Sequence, residues 1–600
     1  MSATKGFYRV AFFCLIAGVA HGQTPVVTSV SPLPQNLSAD PKTSIVATFD
    51  RALDPQTITR ATMRVYGRWS GPAAGIFQVE NNNTRVRFTP AKPFFAGEWV
   101  TVSLSKGLKS ANGAALAPGY AWNFWIRTAA AGLDLQQVAQ VPMKLPGEQQ
   151  QVEAYGGYAG DLNADGWTDL SIVMEKANQL RIFLNDKKGG YGNFTIYPFP
   201  GGITPSTNEG ADFNNDGLID LAVGNGDRGN QVWVWPGNGS GGYLTPSSYR
   251  AGQAVTGLDV MDLDGDGDTD IVTANSQTNS LEGNVAILLN NGNGTFAPAV
   301  FIEANGKAEF ACRAADANED GIQDLFVGAS ISQEIILLLG DGKGGLNFSA
   351  KVDAKGRPWM MAVGDLNRDG HVDVVSANSV ANNAVVVFGD GNGGLRPAVV
   401  VPTDSFGIAI DIGDIDGDGD LEMVTSQFAG NNFMVFENAG DGRFINPRRY
   451  PGQQSAACAI LHDRDNDGDL DMSGFDEETD VLFLFRNDPR TSVETAAPPR
   501  GLELAQNYPN PFSPPGREAL SPSSTAIRYA LDRESRVSIK IYNLLGEAVR
   551  TLIEAQKPAG AHETVWDGRN EAGAIVPAGI YFYQIRTQDF TATRRLVFLR

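Results

Sequence analysis

Carboxylate side chains recur at short, regular spacing in the middle of the chain. The stretch MDLDGDGDTD (261–270) places aspartate at positions 262, 264, 266, 268 and 270. Like charges this close repel one another, so the arrangement needs a compensating partner or environment. Three roles suit it: acid–base catalysis, coordination of a metal ion, or an acidic turn exposed to water.

The same nine-residue pattern, D-x-[DN]-x-D-G-x-x-[DE], occurs seven times. The copies read DLNADGWTD from 161, DFNNDGLID from 212, DLDGDGDTD from 262, DANEDGIQD from 316, DLNRDGHVD from 365, DIDGDGDLE from 414 and DRDNDGDLD from 463. We call them loops 1 to 7 and number their positions from 1 to 9. Their starts are separated by 51, 50, 54, 49, 49 and 49 residues. Spacing this regular indicates a structural repeat.

Oxygen-bearing side chains occupy positions 1, 3, 5 and 9 of each loop, with glycine at position 6. The start of an EF-hand loop has the same pattern, with side chains at 1, 3 and 5 and a backbone carbonyl at 7 holding calcium. An all-oxygen donor set argues against zinc, and magnesium prefers a more rigid shell with several waters. We therefore predict up to seven calcium ions. The predicted ligands are Asp161, Asn163, Asp165, Asp169, Asp212, Asn214, Asp216, Asp220, Asp262, Asp264, Asp266, Asp270, Asp316, Asn318, Asp320, Asp324, Asp365, Asn367, Asp369, Asp373, Asp414, Asp416, Asp418, Glu422, Asp463, Asp465, Asp467 and Asp471.

Neither a solvated turn nor catalysis accounts for the whole pattern. A solvated acidic turn does not require glycine at one place in seven copies, and seven equivalent sites do not resemble a single active site. Weak binding by some loops stays open, since Glu422 in loop 6 has a longer reach than the aspartate elsewhere. Asp268 lies at position 7, where the backbone is the expected ligand, so its carboxylate is expected to face solvent.

The acidity of the chain is concentrated in these loops. Their ligand sets contain three carboxylates in loops 1, 2, 4 and 5 and four in loops 3, 6 and 7, which together exceed the formal net charge of −21. The negative net charge argues against binding to nucleic acid or to an anionic membrane surface.

The residues around each loop predict four short strands per repeat. In the fifth repeat these are PWMMAVGD (358–365), VDVVSAN (372–378), AVVVF (384–388) and, after a glycine-rich hairpin, RPAVVVP. Four strands in about 50 residues are typical of a propeller blade. The seventh repeat stops after its third strand at 481–488, and we expect LDLQQVAQVPM (133–143) to supply the fourth and close the ring. A seven-bladed β-propeller over 132–488 is predicted.

These repeats resemble the FG-GAP/VCBS repeats of bacterial surface proteins and, more distantly, the propellers of integrin α-chains. The resemblance covers the seven repeats, and the acidic loop is its most specific part. The Phe-Gly and Gly-Ala-Pro sequences from which the FG-GAP family takes its name are poorly matched in this chain. The resemblance implies calcium-dependent stability and the binding of protein or glycan ligands.

The segment before the propeller alternates apolar and polar residues as half-buried strands do. Examples are SIVATF (44–49), RVRFTP (85–90), WVTVSL (99–104) and WNFWI (122–126). Residues 24–128 resemble the bacterial SbsA-type Ig-like domain, including the SPLPQN opening and the final aromatic strand. The resemblance implies a spacer or interaction module.

The segment after the propeller begins with a Pro/Thr/Ala-rich linker, 489–500. Beyond it, residues 501–600 resemble the C-terminal sorting domain of type IX secretion substrates in Bacteroidetes-related bacteria. The resemblance rests on NYPNPF (507–512), VPAGIY (576–581) and the WDGxNxxG turn, formed by Trp566, Asp567, Gly568, Asn570 and Gly573. It implies export by the type IX machinery, whereas an ordinary Ig-like domain is the alternative. The overall prediction is an all-β chain, a seven-bladed β-propeller flanked by two Ig-like β-sandwich domains.

The first residues predict a secretory signal peptide. A basic start, the apolar run AFFCLIAGVA and small residues near position 20 place the cleavage site near Gly22–Gln23, although a short buried helix is the alternative. We therefore expect residues 1–22 to be removed and the protein to be secreted or attached to the outer-membrane surface. No transmembrane helix is expected. Cys312 and Cys458 remain, and buried free thiols are favoured over a disulfide.

Three functions suit this organisation: a recognition protein that binds glycans or proteins, a calcium-dependent polysaccharide lyase or hydrolase, and a structural surface-layer component. A non-catalytic protein is favoured, because His371 and His462 belong to the loops or strand ends and no catalytic motif is found. A ligand surface is predicted on the rim opposite the loops, although amides there also simply build turns. Its candidates are Arg228, Asn230, Trp359, Phe406, Gln427 and Asn431.

Overall fold

The computed structural model describes residues 24–201, 203–226, 229–277, 283–488, 503–504, 507, 512, 525–531, 533, 535–557, 560–588 and 590–599. The chain divides into two compact units, Met1–Pro489 and Arg490–Arg600. The predicted signal peptide (1–22) and linker (489–500) lie outside the described residues. So does most of the NYPNPF motif, of which only Asn507 and Phe512 are described.

Seven four-stranded antiparallel sheets form the propeller, and we call them blades 1 to 7 in chain order. Their strands, first to fourth, are as follows. Blade 1 has Ala154–Gly160, Asp169–Met174, Gln179–Asn185 and Tyr191–Pro198; blade 2 has Pro205–Ala211, Asp220–Asn225, Gln231–Trp235 and Ser247–Arg250; blade 3 has Val255–Met261, Asp270–Asn275, Asn284–Leu288 and Val300–Ile302; blade 4 has Glu309–Ala315, Asp324–Ala329, Glu334–Gly340 and Leu346–Asp353. Blade 5 has Pro358–Gly364, Asp373–Asn378, Asn383–Val387 and Val399–Pro402; blade 6 has Gly407–Gly413, Glu422–Gln427, Asn432–Asn438 and Phe444–Pro451; blade 7 has Ala456–His462, Asp471–Asp476, Val481–Arg486 and Gln136–Pro142.

The fourth strand of blade 7 comes from the segment before blade 1. Gln136–Pro142 pairs antiparallel with Val481–Arg486, with Leu484 opposite Ala139. The first strand of blade 1 also lies beside the first strands of both blade 2 and blade 7. The pairing leaves no bare edge on the third strand of blade 7, an edge that would otherwise invite association with another chain.

Burial follows strand position within a blade. The second strands are buried at every residue, as in Asp373–Asn378, because neighbouring blades cover both of their faces. The fourth strands lie at the outside and expose most of their residues, as in Val399–Pro402. The apolar core is therefore divided between adjacent blades, and the polar ends of the strands reach the two faces of the propeller.

The N-terminal domain is a sandwich of two four-stranded sheets. One has the order Val27–Ser31, Ile45–Phe49, Arg85–Pro90, Gly75–Glu80, and the other has the order Gly71–Pro72, Met63–Gly67, Trp99–Leu104, Tyr120–Trp125. A single 3-10 turn, Pro55–Thr57, interrupts the strands. Alternating residues of both sheets, such as Phe88 and Phe124, fill the space between them.

The C-terminal unit also consists of two sheets. One has the order Glu503–Leu504, Thr525–Leu531, Gly560–Trp566, and the other has the order Ala548–Lys557, Ser535–Tyr542, Gly579–Arg586, Thr591–Phe598. Trp566 and Phe512 are fully buried between them, with ring centroids 5.4 Å apart. The predicted fold class, an all-β chain with a seven-bladed propeller and two flanking Ig-like sandwiches, is confirmed.

The thiols of Cys312 and Cys458 are free and buried, and burial raises the pKa of each thiol. Among the described residues, no helix is long and apolar enough to cross a membrane.

Candidate metal centres and ligand surface

The seven acidic loops lie on one face of the propeller. Each loop connects the first and second strands of its blade, as loop 5 connects Pro358–Gly364 with Asp373–Asn378. Neighbouring loops contact one another and so share one face: Asn215 of loop 2 donates to Asp268 of loop 3 at 2.9 Å, and Asn466 of loop 7 donates to the Gly166 carbonyl of loop 1 at 2.7 Å. We call it the loop face and the opposite one the far face.

Backbone N–H groups hold the first six positions of each loop in one conformation. In loop 5, Asp365 accepts hydrogen bonds from the N–H groups of Asp369 (3.0 Å) and Gly370 (2.9 Å), and Asn367 also accepts from Asp369 (2.8 Å). The glycine N–H at position 6 donates to the carboxylate at position 1 in all seven loops. The side chains at positions 1, 3 and 5 are thus turned toward the centre of the loop.

The carboxylate at position 9 ties the loop to two other parts of its blade. In loop 5, Asp373 accepts from Leu366 N–H at 3.0 Å and from Gly389 N–H, beyond the third strand, at 3.0 Å. Glu422 fills the same role in loop 6, where it accepts from Ile415 N–H at 2.8 Å. Glutamate at position 9 of loop 6 therefore makes the same kind of hydrogen bond to its loop as aspartate makes in the other loops.

Burial makes ionisation of these carboxyl groups costly. Desolvation raises the pKa to about 7 for Asp169, Asp220, Asp262, Asp316, Asp324, Asp414 and Asp463, to about 8 for Asp373 and Asp471, and to about 6 for Asp365. Neighbouring carboxylates in the same loop raise it further, and the backbone N–H groups lower it in part. Burial therefore disfavours the ionised form of these carboxyl groups unless a cation compensates their charge.

The donor sets fit a hard cation. Oxygens of Asp262, Asp264 and Asp270 lie within 4.8 Å of one another, as do those of Asp414, Asp416 and Glu422 and those of Asp463, Asp465 and Asp467. In loop 7, the buried Oδ1 atoms of Asp463 and Asp465 accept no hydrogen bond from the described residues. Buried carboxylate oxygens of this kind, with no nitrogen or sulfur donor in the cluster, suit calcium.

One expectation for the loops is wrong. The carboxylate of Asp268, at position 7 of loop 3, does not face solvent: its side chain is 18% exposed and pairs with Arg64 of the N-terminal domain at 2.6 Å. Asn215 of loop 2 donates to the same oxygen at 2.9 Å. Sequence spacing alone could not show that another domain covers this position.

The N-terminal domain packs on the loop face. Ala121 N–H donates to the carbonyl of Gly321 in loop 4 (2.7 Å), and Lys106 N–H donates to Gly265 in loop 3 (2.9 Å). The connector that leaves the domain continues across loops 6 and 7, where Ala129 N–H donates to Gly468 at 2.6 Å. The domain is therefore joined to the propeller in one compact unit and covers part of the loop face.

The glycine at position 6 allows separate tests of loop geometry and of this domain contact. Gly370 has φ +90° and open space around it, whereas a methyl group on Gly267 (φ +94°) would lie 2.8 Å from Ser105 Cβ. We expect Gly370→Ala to cost roughly 1–2 kcal/mol from left-handed backbone strain. Gly267→Ala should cost clearly more, because it adds a clash with the N-terminal domain. Urea denaturation of both variants measures this, and equal losses would contradict the contact.

The same domain inserts a charged side chain into the channel at the propeller axis. Arg68, in the turn between two of its strands, lies 3.3 Å from Asp411 of blade 6 and 3.9 Å from Glu209 of blade 2. These groups line a cavity of about 110 Å³ together with Asp259 and Arg313. The channel is thus closed from the loop face.

Glu98 holds the turn that carries Arg68. Its buried carboxylate accepts from the N–H groups of Trp69 (3.0 Å), Ser70 (2.9 Å) and Phe95 (2.8 Å). Desolvation raises the pKa of Glu98 to about 7, against the opposing effect of these donors. No motif in the sequence pointed to Arg68 or Glu98, because their partners lie far away in the chain.

Five aromatic side chains form a continuous group on the far face, which we call the aromatic platform. Ring centroids are 4.2 Å apart for Phe310 and Trp359, 5.9 Å for Trp359 and Phe406, and 5.9 Å for Phe406 and Phe428. Trp359 Nε1 donates to Tyr155 Oη at 3.0 Å, which links blades 5 and 1 across the channel mouth. All five side chains are half-buried.

Two of the predicted ligand-surface residues, Trp359 and Phe406, belong to the platform. Asn230 and Asn431 are exposed in turns, and the Asn431 amide lies against the carbonyls of Phe428 and Gln454, as the turn-building alternative expects. Gln427 does not lie on the surface: it is fully buried and donates to Thr425 Oγ1 at 2.7 Å. Arg228 lies outside the described residues.

Sequence reasoning missed Tyr155, Phe310 and Phe428. The sequence did contain a signal for Tyr155 and Phe310. Both stand six residues before position 1 of their loop, the same place that the predicted residue Trp359 holds in its repeat. Residues at this position start the first strands and therefore surround the channel mouth.

The two histidines near the loops have structural partners. His462 is fully buried and hydrogen-bonds Thr168 Oγ1 (2.8 Å) and Ser473 Oγ (2.9 Å), and desolvation lowers its pKa to about 3. His371 contacts Glu319 of the neighbouring loop, a contact that raises the pKa of the histidine.

The sequence matches three families. The FG-GAP-like repeat family matches five overlapping segments, 161–223, 212–273, 262–327, 316–376 and 365–425. The bacterial Ig-like domain family matches 22–125, and the FlgD Ig-like domain family matches 519–589. No curated protein shows a significant match.

The solved structures that resemble this chain have low sequence identity to it and low TM-scores. BBS1N, solved in complex with ARL6DN, is 12% identical, with a TM-score of 0.42 over 62% of this chain and 100% of that one. A lectin of Agrocybe aegerita, described as recognising non-reducing terminal N-acetylglucosamine, is 17% identical (TM-score 0.37; 72% of this chain, 95% of that one). A protein of unknown function from Desulfotomaculum acetoxidans is 12% identical (TM-score 0.32; 66% and 98%).

Together, the family matches and the sheets identify the parts of the chain. It carries FG-GAP-like repeats within a seven-bladed β-propeller, preceded by a bacterial Ig-like domain and followed by a FlgD-type Ig-like domain, an organisation that indicates an extracellular or cell-surface protein.

Proposed function

We propose that this protein is a secreted or surface-attached, non-catalytic recognition protein that binds glycans through the aromatic platform on its far face. The observation that carries the proposal is the difference between the two faces. The N-terminal domain covers part of the loop face and closes the channel with Arg68, whereas the far face presents five half-buried aromatic side chains.

Calcium in the seven loops is the proposed source of stability. The residues at positions 1, 3, 5 and 9 would hold the ion, which would neutralise carboxylates that burial otherwise keeps from ionising. Each loop joins the first two strands of a blade, and its position 9 also reaches the residue after the third strand. A bound ion would therefore tie three strands of one blade together.

Aromatic rings suit a sugar ligand for a physical reason. The apolar face of a pyranose packs flat on an aromatic ring, and polar groups around the ring satisfy its hydroxyl groups. Asn230, on a connection of the same face, is exposed and offers such an amide group. Aromatic residues also serve protein interfaces, so the binding experiment must separate the two ligand classes.

Export through the type IX machinery is proposed from the C-terminal motifs. The WDGxNxxG turn is well defined: Asn570 accepts from the N–H groups of Ala572 (3.1 Å) and Ala574 (2.9 Å), and Asp567 pairs with Arg550 at 2.6 Å. The tip of this structured turn, residues 571–575, is exposed, which supports recognition by an export machinery, followed by release or surface attachment.

Replacing Trp359 with alanine tests the proposed ligand surface. The platform would lose its central ring, which contacts both Phe310 and Phe406, so glycan affinity should fall about tenfold or more. Phe348→Ala is the matched control, because Phe348 is 47% exposed on the outer strand of blade 4 and should leave binding unchanged. A glycan array followed by titration calorimetry measures both. Binding of protein ligands only, or calcium-dependent cleavage of a polysaccharide, would overturn the proposal.

A further inference from the structure

A polar pocket lies between blades 2 and 3 and includes none of the residues of the aromatic platform. Its volume is about 530 Å³, within the range of about 300–1,000 Å³ that is usual for ligand sites. Four amides, one guanidinium and one aromatic ring line it. These side chains belong to Asn230, Arg250, Gln253, Gln277, Asn284 and Phe301.

The ends of the strands place this pocket on the far face. Each blade is antiparallel and its first strand ends at the loop face, so the third strand begins and the fourth strand ends at the far face. Arg250 ends the fourth strand of blade 2, and Asn284 begins the third strand of blade 3. The acidic loops therefore lie at the opposite face of the propeller, away from Arg250.

Backbone hydrogen bonds hold the walls of the pocket in place. Ala251 N–H donates to the Asn230 carbonyl at 2.9 Å. Gln277 N–H donates to the Gln253 carbonyl at 3.3 Å. These bonds join the connection between the two blades to a turn of each. A pocket that is formed in advance binds a ligand at a lower entropic cost.

Arg250 supplies the positive charge of the pocket. It is exposed, and its guanidinium makes no ion pair or hydrogen bond with a described residue. Basic side chains on the fourth strands of other blades do have partners, since Lys351 lies 2.9 Å from Glu334 and Arg449 lies 2.7 Å from Asp404. The guanidinium of Arg250 is thus available to a ligand, and a carboxylate matches it with two parallel hydrogen bonds.

The other side chains of the pocket suit a sugar. Those of Asn230 and Gln253 are exposed and have no partner among the described residues. The amide oxygen of Asn284 accepts from Asn275 at 2.8 Å, which leaves its NH₂ group for another acceptor. Phe301 is 42% exposed. Amides satisfy the hydroxyl groups of a sugar, and an aromatic ring packs on its apolar face.

We propose that this pocket binds a sugar residue that carries a carboxylate, a uronic acid within a glycan. Arg250 holds the carboxylate, the amides bind the hydroxyl groups and Phe301 contacts the apolar face of the ring. The proposal rests on the glycan binding proposed above and adds the charge of the glycan. The far face then selects acidic glycans over neutral ones.

Titration calorimetry of the full chain with two matched ligands tests the proposal. One ligand is a tetramer of uronic acid residues and the other is its neutral hexose counterpart, in the same calcium buffer. The wild type should bind the acidic tetramer about tenfold more tightly. Arg250→Gln should lose this preference and bind the neutral tetramer as the wild type does.

Arg449→Gln is the matched control. It removes the same charge from an exposed residue on the fourth strand of blade 6, where the guanidinium already pairs with Asp404. This variant should keep the preference for the acidic tetramer. Far-UV circular dichroism confirms that both variants are folded.

The outcomes separate this inference from the proposed function. Equal affinity of the wild type for the two tetramers, or an equal loss in the two variants, overturns the acidic-sugar site and leaves glycan binding by the platform intact. Equal binding of a tetraglutamate peptide also overturns it, because the pocket would then recognise charge without the sugar. Failure of the wild type to bind either tetramer overturns it as well, whereas the glycan array and Trp359→Ala decide the proposed function separately.

Discussion

Arg68→Ala is expected to destabilise the unit that contains the propeller by about 3 kcal/mol. Arg68 supplies a counter-charge to Asp411 and Glu209 inside the channel, at 3.3 and 3.9 Å, beside the second arginine of the cavity, Arg313. The carboxylates of Asp411 and Glu209 are mostly buried, with side chains 10% and 13% exposed, so removing Arg68 leaves desolvated charges behind, which costs more than the pairs themselves contribute. Urea denaturation followed by tryptophan fluorescence measures the change.

A surface pair on the same domain supplies the control. Arg51 pairs with Asp50 at 2.5 Å, and both belong to the exposed edge of the sandwich. Surface pairs contribute little, so Arg51→Ala should change stability far less than Arg68→Ala. Equal effects of the two variants would mean that Arg68 does not close the channel as described.

Removing calcium is expected to lower the unfolding temperature and to reverse its dependence on pH. Each site occupied at 100 times its Kd contributes about 2.7 kcal/mol. Without the ion, loop carboxyl groups such as Asp373 and Asp471 have pKa values raised to about 8, well above those of the unfolded chain. The folded chain then binds more protons than the unfolded chain between about pH 4 and 8.

The sign of the effect follows from this proton balance. A raised carboxyl pKa contributes stability that is present at low pH and is lost as the pH rises through the folded value. Calcium-free protein should therefore gain stability from pH 8 to pH 5, whereas calcium-loaded protein should lose it, because protons compete with the ion. Thermal unfolding at pH 8, 6.5 and 5, with and without calcium, measures both slopes, and equal slopes would argue against metal binding by the loops.

The repeat made the propeller predictable. Seven copies of one pattern located every blade, and the missing fourth strand after 481–488 pointed to the segment that contains Gln136–Pro142. The loop geometry could also be predicted, because a glycine at position 6 and oxygen donors at positions 1, 3, 5 and 9 form a local pattern. Local patterns can be recognised since all their members lie in one short stretch of chain.

The covering of the loop face could not be predicted in the same way. Arg64 meets Asp268 across 204 residues, and Arg68 meets Asp411 across 343. A single Ig-like domain has no repeat to compare, so nothing in its sequence marks the two arginines as interface residues. The wrong expectation for Asp268 and the misplaced Gln427 share this origin, since burial by a neighbouring element is not a local property.

Scanning calorimetry of the full chain, in calcium and then in excess chelator at pH 7.5, tests most directly whether calcium in the loops holds the propeller together. The described residues of the C-terminal unit contain none of the seven loops, so the unfolding of that unit serves as an internal reference. We expect chelation to lower the propeller transition by about 10 °C or more and to leave the C-terminal transition in place. A propeller transition at the same temperature in both buffers would contradict calcium-dependent stability.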